Sequence, residues 1–154
     1  MLVAQGNIEH RQAILRIGFQ PFAPEFYEVG PTQVVPEIPI EEYRALIDTG
    51  AQRTCLTQST IARESLVPHA KKPIQNVHSS NLHHLYWARL GFWGEGSSFP
   101  GGPLENRSYF ALPEPVEVID IAPNHRFDAI VGMDILRLFD LQFEKSGSFR
   151  LILA

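Results

Sequence analysis

The sequence predicts a mainly β protein with two short helices. Short apolar runs recur along the chain, each bounded by glycine, proline or small polar residues, which is the pattern of strands separated by turns. Apolar residues recur at helical spacing in only two segments, one after Ser59 and one after Gly132. The length of 154 residues fits a single folded domain, residues 1–154, with a sizeable core.

The N-terminal third predicts two strands joined by a proline-rich segment. Ala13–Phe19 is apolar apart from Arg16 and predicts the first strand. Five prolines between Gln20 and Pro39 exclude a helix and favour extended or loop backbone, with Val34-Val35 as a further short strand. Ala45–Ile47 predicts a buried strand, because it is apolar without alternation and is followed at once by turn residues.

The rest of the chain predicts a helix, two hairpins and several single strands. Ser59 or Thr60 is the expected N-cap of a helix over Ile61–Leu66. A second helix is expected to open after Gly132. The other expected elements are a strand at 54–56, a basic connection at 67–73, a hairpin of 74–77 and 85–92, a glycine-rich loop at 94–102, strands at 108–112, 116–121 and 129–131, and a C-terminal hairpin of 141–143 and 149–153.

Composition argues against several classes of partner. The net charge is −4 and no Lys/Arg block occurs, so we expect no nucleic acid or anionic membrane as partner. Cys55 is the single cysteine, which excludes an intrachain disulfide and a cysteine-based zinc site. Met1–Arg11 lacks the apolar core of a signal peptide, and no apolar run has membrane-spanning length. A cytoplasmic protein is the expectation.

One acidic residue stands where an apolar strand ends. Ala45–Ile47 runs directly into Asp48, Thr49, Gly50 and Ala51. A carboxylate at the end of a buried strand is costly unless it is paired, hydrogen-bonded or functional. We expect Gly50 to let the backbone bend sharply where a Cβ would clash. Asp48 is therefore the leading candidate for a functional residue.

Two motifs together resemble a known family. Apolar-apolar-Asp-Thr-Gly-Ala spans 46–51, and apolar-apolar-Gly spans 130–132 and opens a helix containing Asp134 and Leu136. This combination resembles the retropepsin-like (retroviral-type) aspartic proteases, especially their single-domain cellular and bacterial members. The likeness extends from about Ala13 to the C-terminus. It implies a retropepsin-like acid-protease half-barrel that is active as a homodimer.

The resemblance assigns roles to both motifs. It implies that Asp48 is the catalytic acid and that the Thr49 hydroxyl locks the two active-site loops together. Gly50 is the tight-turn glycine whose carbonyl faces substrate. Ile130–Gly132 is the strand that crosses behind the active-site loop. In acid-working two-lobed relatives the position of Ala51 usually carries a hydroxyl donor, and its absence here implies an activity profile displaced toward mildly acidic or near-neutral pH.

The hairpin at about 74–92 corresponds to the flap that closes over substrate in this family. Its tip contains Ser79, Ser80 and Asn81, which the resemblance places against the substrate. Apolar pocket walls are expected from Cys55, Leu56 and Ile130. The expected partners are a peptide or protein substrate and a second copy of the chain, and no cofactor or metal is expected.

Elementary chemistry supports the same arrangement. Hydrolysis by paired carboxylates needs one ionised and one protonated group on a shared water. Two carboxylates this close cannot both ionise easily, so the pair retains a proton. The chain has one Asp-Thr-Gly, so the second carboxylate must come from a second copy. A two-fold homodimer would place Asp48 against its symmetry mate.

Alternatives remain for the whole chain and for its ends. The leading function is an aspartic endopeptidase, and the rival is a catalytically inactive dimerisation or peptide-binding domain. The tip His78-Ser79-Ser80-Asn81 lacks the glycines of retroviral flaps, which favours the rival. Phe149–Leu153 serves the dimer, as termini do in retroviral relatives, or pairs only within its own subunit.

Three further side-chain groups each have two interpretations. Asp134 is a second catalytic acid or, as its place at a helix start favours, an acceptor for backbone N–H groups. His78, His83 and His84 are metal ligands or polar flap residues, and their spacing favours the latter. Cys55 is a nucleophile or a buried thiol, and the absence of an obvious histidine partner favours the thiol.

Overall fold

The computed structural model describes residues 1–21, 40–75, 80–96, 103 and 105–153. It confirms a mainly β architecture with two short helices in this part of the chain. The elements, in chain order, are β1 Leu2–Glu9, β2 Gln12–Pro21, β3 Glu42–Ile47, β4 Cys55–Thr57, α1 Gln58–Arg63, β5 Pro68–Gln75, β6 Ser80–Gly96, β7 Glu105–Ala111, β8 Val116–Ile121, β9 Ala129–Val131, α2 Met133–Leu136, β10 Asp140–Phe143 and β11 Ser148–Ile152.

The eleven strands of the described residues belong to one sheet. Its order is β10-β11-β1-β2-β3-β9-β4-β8-β6-β5, with β7 attached to β6 and with further pairings of β6 to β1 and β2. Two neighbouring pairs are parallel, β3 with β9 and β4 with β8, whereas the other pairs are antiparallel. Because β3 and β9 are parallel neighbours, both strands end on the same side of the sheet. The two sequence motifs, which follow these strands, therefore meet there.

The sheet encloses one main apolar core and one smaller cluster. Alternation along the strands decides which side chains enter the core, as in β3, where every second residue is buried. The largest fully buried apolar side chains are Phe19, Tyr43, Phe92, Phe149, Leu15, Ile17, Leu56, Leu90 and Leu151. Cys55, Leu85 and Ile119 form a separate buried cluster, which lies near the candidate site.

The expected limits of the first helix were wrong. The helix spans Gln58–Arg63, and its N-cap is Thr57 rather than Ser59 or Thr60. The Thr57 hydroxyl accepts a hydrogen bond from the Thr60 N–H at 3.3 Å, which satisfies one of the free donors at the helix start. The helix therefore begins immediately after β4, with no intervening turn.

Two segments expected to be irregular are strands. Residues 67–73, expected as a connection, lie mostly in β5, because a strand at the end of a sheet tolerates proline. β6 continues to Gly96, inside the expected loop at 94–102, whose residues 97–102 lie outside the described residues. Val34-Val35 lies outside them as well. The N-terminal strand β1 was not expected at all.

The expected C-terminal hairpin is confirmed and pairs within its own subunit. β10 and β11 are antiparallel, with Phe143 opposite Phe149. The other side of β11 pairs with β1, so both edges of β11 are occupied and β10 ends the sheet. Within the described ranges, no helix is long and apolar enough to cross a membrane.

Candidate active site

Asp48 lies directly after β3, at the mouth of the parallel pair that β3 forms with β9. Ile47 is opposite Val131, and the Asp48 N–H extends the ladder by donating to the Val131 carbonyl at 3.1 Å. The backbone at Asp48 is thereby fixed to the second motif. The Asp48 side chain is half-buried.

A tight turn holds one oxygen of the Asp48 carboxylate. Asp48 Oδ1 accepts a hydrogen bond from the Gly50 N–H at 2.9 Å, and the Asp48 carbonyl accepts one from the Ala51 N–H at 3.2 Å. Oδ2 accepts no hydrogen bond from any described residue. The carboxylate is therefore oriented by one oxygen and open at the other.

As expected, a Cβ would be crowded at Gly50, but the neighbour that crowds it is the Asp48 carboxylate. The backbone of Gly50 is outside the left-handed region, so the turn does not need glycine for conformational freedom. A Cβ at this position would lie 3.2 Å from Asp48 Oδ1, which is a tight contact. Glycine therefore leaves room beside the carboxylate.

The backbone of the second motif packs against the loop that follows Asp48, at residues 51–53. Met133 N–H donates to the Ala51 carbonyl at 2.8 Å, and Asp134 N–H donates to the Gln52 carbonyl at 3.2 Å. A Cβ at Gly132 would lie 2.8 Å from the Arg53 carbonyl oxygen and 2.9 Å from that of Ala51, distances that real Cβ atoms essentially never show. Glycine at 132 therefore permits the two backbones to approach.

The Asp134 carboxylate accepts hydrogen bonds from Thr54, at the end of this loop. Its Oδ1 accepts a hydrogen bond from the Thr54 hydroxyl at 2.8 Å and its Oδ2 accepts one from the Thr54 N–H at 3.0 Å. Oδ1 also accepts from the Ile135 N–H at 3.0 Å, in the first turn of α2. Both carboxylate oxygens are engaged with groups of the subunit itself, which supports the structural interpretation of this residue.

Thr54 is a site residue that the sequence analysis missed. Its side chain is fully buried, and its hydroxyl donates to Asp134 while accepting a hydrogen bond from the Gly132 N–H at 3.2 Å. The one signal in the sequence is a hydroxyl residue at the edge of an apolar strand, where a buried polar side chain needs a partner. That partner is 80 residues away, so the sequence could not identify it.

Thr49 occupies the tip of the turn. Its side chain is exposed, and its hydroxyl forms no hydrogen bond with any other described residue of the subunit. This side chain therefore retains its full capacity to donate and accept hydrogen bonds.

Cys55 and Ile130 are opposite each other on β4 and β9, and Ile130 is also opposite Leu46, two residues before Asp48. Ile130, Ile74 and Ile121 are partly buried and pack against the small cluster that contains Cys55. Leu56 points the other way, into the main core, so the expectation that it forms a pocket wall was wrong.

The environment of Cys55 argues against nucleophilic catalysis. Burial, with a smaller contribution from the negative charge of Asp134, raises the pKa of the Cys55 thiol to about 12. The thiol is therefore protonated at neutral pH, whereas the thiolate is the reactive form.

The expected flap is a hairpin of β5 and β6. Gln75 is opposite Ser80, and Ile74 is opposite Asn81. Ser80 and Asn81 thus belong to the start of β6. Residues 76–79, which include His78 and Ser79, lie outside the described residues, so the roles expected for the tip stay predictions.

His83 and His84 both contact an acid that the sequence did not indicate. His83 Nδ1 lies 2.7 Å from the Asp120 carbonyl oxygen and 3.2 Å from Oδ1, and the His84 N–H donates to the same Oδ1 at 3.0 Å. These bonds fasten β6 to β8 below the hairpin. The described residues hold no group of three side chains suited to a metal ion.

Comparison with known proteins finds a similar fold but no match to the sequence. Neither a protein-family model nor a curated protein matches the sequence. Among solved structures, the fold is similar to that of a retropepsin-like aspartic protease from Rickettsia conorii, with a TM-score of 0.56 over 98% of this chain and 91% of that one. The chain has a retropepsin-like fold. The sequence identity is 9%, so the likeness concerns the fold.

The retropepsin-like fold gives the geometry of the two motifs a context. The structure brings the Asp48 turn against the second motif, as the sequence indicated, and the catalytic role of Asp48 stays a prediction. The finer assignments to Thr49, Gly50, Ala51, Cys55 and Ile130 concern substrate and a second subunit, and they stay predictions.

Proposed function

We propose that this protein is an aspartic endopeptidase that acts as a homodimer, with Asp48 of each copy forming one catalytic pair. The observation that carries the proposal is the state of the Asp48 carboxylate. One oxygen is held by the Gly50 N–H at 2.9 Å, and the other has no partner among the described residues. A carboxylate that is oriented yet half open suits the binding of a reactive water.

The proposed reaction uses one ionised and one protonated Asp48. The ionised carboxylate takes a proton from the shared water, whose oxygen bonds to the carbonyl carbon of the substrate peptide. The protonated carboxyl gives its proton to the carbonyl oxygen, and a tetrahedral diol forms. Collapse of the diol breaks the C–N bond: the carboxyl that took the proton from water gives it to the leaving amine, and the other carboxylate takes a proton from a diol hydroxyl as the carbonyl re-forms. The pair returns to its starting state, with one proton shared.

The proposed substrate is an extended peptide with apolar side chains near the cut. The β5–β6 hairpin supplies backbone that can bond to an extended chain in the manner of an added strand. The partly buried side chains of Ile130, Ile74 and Ile121 pack around the Cys55 cluster and provide apolar surface, and Ile130 is opposite Leu46, two residues before Asp48. Burial of apolar substrate groups against such surface is favourable by about 25 cal/mol per Å².

The proposal is tested by the substitution Asp48→Asn, assayed on a peptide library. The amide keeps an oxygen that can accept the Gly50 N–H, so we expect the unfolding midpoint to stay the same. It cannot act as base or acid, and the loss per catalytic group is roughly 10²–10⁴-fold, with both groups of the dimer removed at once. We therefore expect no detectable cleavage.

Glu114→Gln, which makes the same carboxylate-to-amide change at an exposed position, is the matched control and should retain full activity. Equal turnover by wild type and the Asp48→Asn variant would overturn the assignment of Asp48. A folded, dimeric wild type that cleaves no peptide would instead favour the inactive dimerisation or peptide-binding domain.

A further inference from the structure

A pocket of about 360 Å³ lies between the β1–β2 turn, β3 and the segment before β9. Its lining includes two arginines and two histidines, which are Arg44, Arg126, His10 and His125. Glu9 is the one acid among the described residues that line it, and Arg44 Nη2 pairs with Glu9 Oε2 at 2.7 Å. The negative charge of Glu9 is therefore balanced. In a chain whose net charge is −4, this pocket is a local region of positive charge.

Three side chains of this pocket have unused hydrogen-bond donors. Arg126, His10 and His125 are exposed, and their side chains form no hydrogen bond or ion pair with any described residue. A guanidinium carries five N–H groups, and an imidazole carries at least one N–H in either protonation state. Arg44 is bonded differently, because its Nε donates to the Arg126 carbonyl at 3.1 Å while Nη2 donates to Glu9. The pocket thus combines one fixed guanidinium with three free donor side chains.

The backbone that carries Arg126 is held against β3. Asp128 N–H donates to the Arg44 carbonyl at 2.8 Å, and Asp128 Oδ2 accepts a hydrogen bond from the Arg44 N–H at 2.9 Å. Arg126 N–H donates to Asn124 Oδ1 at 2.7 Å. The segment before β9 is thereby fixed on β3, and its donors enter the pocket from a constrained backbone.

The β1–β2 turn carries two basic residues where its backbone favours other residue types. His10 and Arg11 follow the last pair of the hairpin, Glu9 with Gln12, and their φ angles are 49° and 65°. Two-residue turns with positive φ at both positions strongly prefer asparagine, aspartate and glycine. Side chains kept in such sparsely populated conformations often serve a function. Here the turn brings an imidazole to the pocket, with a guanidinium next to it in the chain.

We propose that this pocket binds a small phosphate monoester. A phosphate group carries up to two negative charges and three terminal oxygens, which accept hydrogen bonds from several directions, whereas a carboxylate offers two oxygens in one plane. The donors here come from three directions, namely the β1–β2 turn, β3 and the segment before β9. The volume lies at the lower end of the range for small-molecule sites, so an organic group attached to the phosphate also has room.

The proposed ligand would connect three segments of the fold. It would join the β1–β2 turn to β3 and to the segment before β9, which are the two strands that lead into the sequence motifs. A ligand that binds only the folded state raises the unfolding midpoint in a concentration-dependent way. This readout involves no peptide cleavage, so its outcome is independent of the proposed function.

The test is isothermal titration calorimetry of the full chain with glycerol phosphate at constant ionic strength, with thermal unfolding as a second readout. Arg126→Gln and His125→Gln change exposed side chains that have no partner in the subunit, so we expect both variants to fold. His10→Asn removes the imidazole, and asparagine tolerates the positive φ. Arg63→Gln is the matched control, since it makes the same change at an exposed arginine of α1 that does not line the pocket.

We expect Arg126→Gln to raise the dissociation constant of glycerol phosphate about tenfold or more, because it removes a charge-assisted donor. His10→Asn and His125→Gln should raise it less, and Arg63→Gln should leave it unchanged. Inorganic phosphate should bind more weakly than glycerol phosphate, and acetate should show no measurable binding.

The inference is overturned if glycerol phosphate gives neither binding heat nor a shift of the midpoint in the wild type. Equal affinities of the Arg126→Gln and Arg63→Gln variants would also overturn it. Acetate that binds as tightly as glycerol phosphate would contradict the assignment to phosphate. A phosphoserine peptide that binds more tightly than glycerol phosphate would replace the small molecule by a protein ligand and overturn the proposal in this form. If Arg126→Gln fails to fold, His125→Gln decides.

Discussion

The loop of residues 48–54 has an inner half, at Thr54, which contacts Gly132 and Asp134, and an outer half, which contains Asp48 and Thr49. The two halves differ in how many of their polar groups form hydrogen bonds within the subunit. On the inner side, Thr54 and Asp134 satisfy each other, and Gly132 bonds the same hydroxyl. On the outer side, the Thr49 hydroxyl and Asp48 Oδ2 have no partner among the described residues of the subunit. One half of the loop is complete in a single chain, and the other half has bonding capacity left over.

We infer that the inner half contributes mainly to the stability of the subunit and the outer half mainly to its function. Buried polar groups in folded proteins are nearly always paired, and the inner half obeys that rule within the subunit. In the outer half, Thr49 is exposed and Asp48 is half-buried, so water can bond to them until a substrate or a second subunit replaces the water. We infer that the inner half holds the loop in shape before any partner arrives. Substitutions on the two sides should therefore change different measurements.

The largest effect on the fold is expected from Asp134→Ala. It would leave the buried Thr54 N–H and hydroxyl without their acceptor, and each such loss costs about 1–3 kcal/mol. The free energy of unfolding should fall by about 2–6 kcal/mol. Urea denaturation followed by circular dichroism measures this directly. Thr54→Val, which removes the hydroxyl but keeps the shape, should cost less.

An intermediate effect is expected from Thr49→Ala, which acts on the outer half. The Thr49 hydroxyl is proposed to bond across the two-fold axis, once from each copy, and each bond contributes about 0.5–1.5 kcal/mol. The dissociation constant of the dimer should rise roughly 5- to 150-fold. The unfolding midpoint of the subunit, measured at a concentration where wild type is monomeric, should not change. A lower midpoint with an unchanged dimer would assign Thr49 to the inner half.

The smallest effect is expected from Ala51→Ser, at the junction of the two halves. A hydroxyl here could donate to the carboxylate pair and favour its ionised form. The bell-shaped profile of kcat/KM against pH should then move toward acid, with little change in its height. The profiles of both proteins on one peptide provide the test. An identical profile from a correctly folded variant would show that position 51 does not set the pH dependence.

Local patterns were enough to predict most of the strands and the two motifs that the structure brings together. Asp48 and Gly132 were identified because each ends an apolar strand that is too short and too uniform to be a helix. The C-terminal hairpin was recognisable from two apolar runs around a short polar turn. These features depend on neighbouring residues, which a sequence displays directly.

The missed features depend on long-range contacts. The Thr54–Asp134 bonds join residues 80 positions apart, and the Asp120 contacts of His83 cross from β8 to β6. β5 was mistaken for a connection because prolines argue against a strand unless that strand is known to end the sheet. β1 contains Gly6 among polar residues, and its pairing with β11 defines it as a strand.

The central claim is that catalysis needs Asp48 from two copies, and subunit mixing tests it most directly. Wild type is mixed with a ninefold excess of the Asp48→Asn variant, allowed to exchange, and assayed on one peptide. If the pair forms between copies, random pairing leaves wild-type subunits mostly with inactive partners, and activity per wild-type subunit falls to roughly one tenth. Excess Glu114→Gln variant should cause no such loss. Unchanged activity per wild-type subunit in the presence of the Asp48→Asn excess would contradict the account.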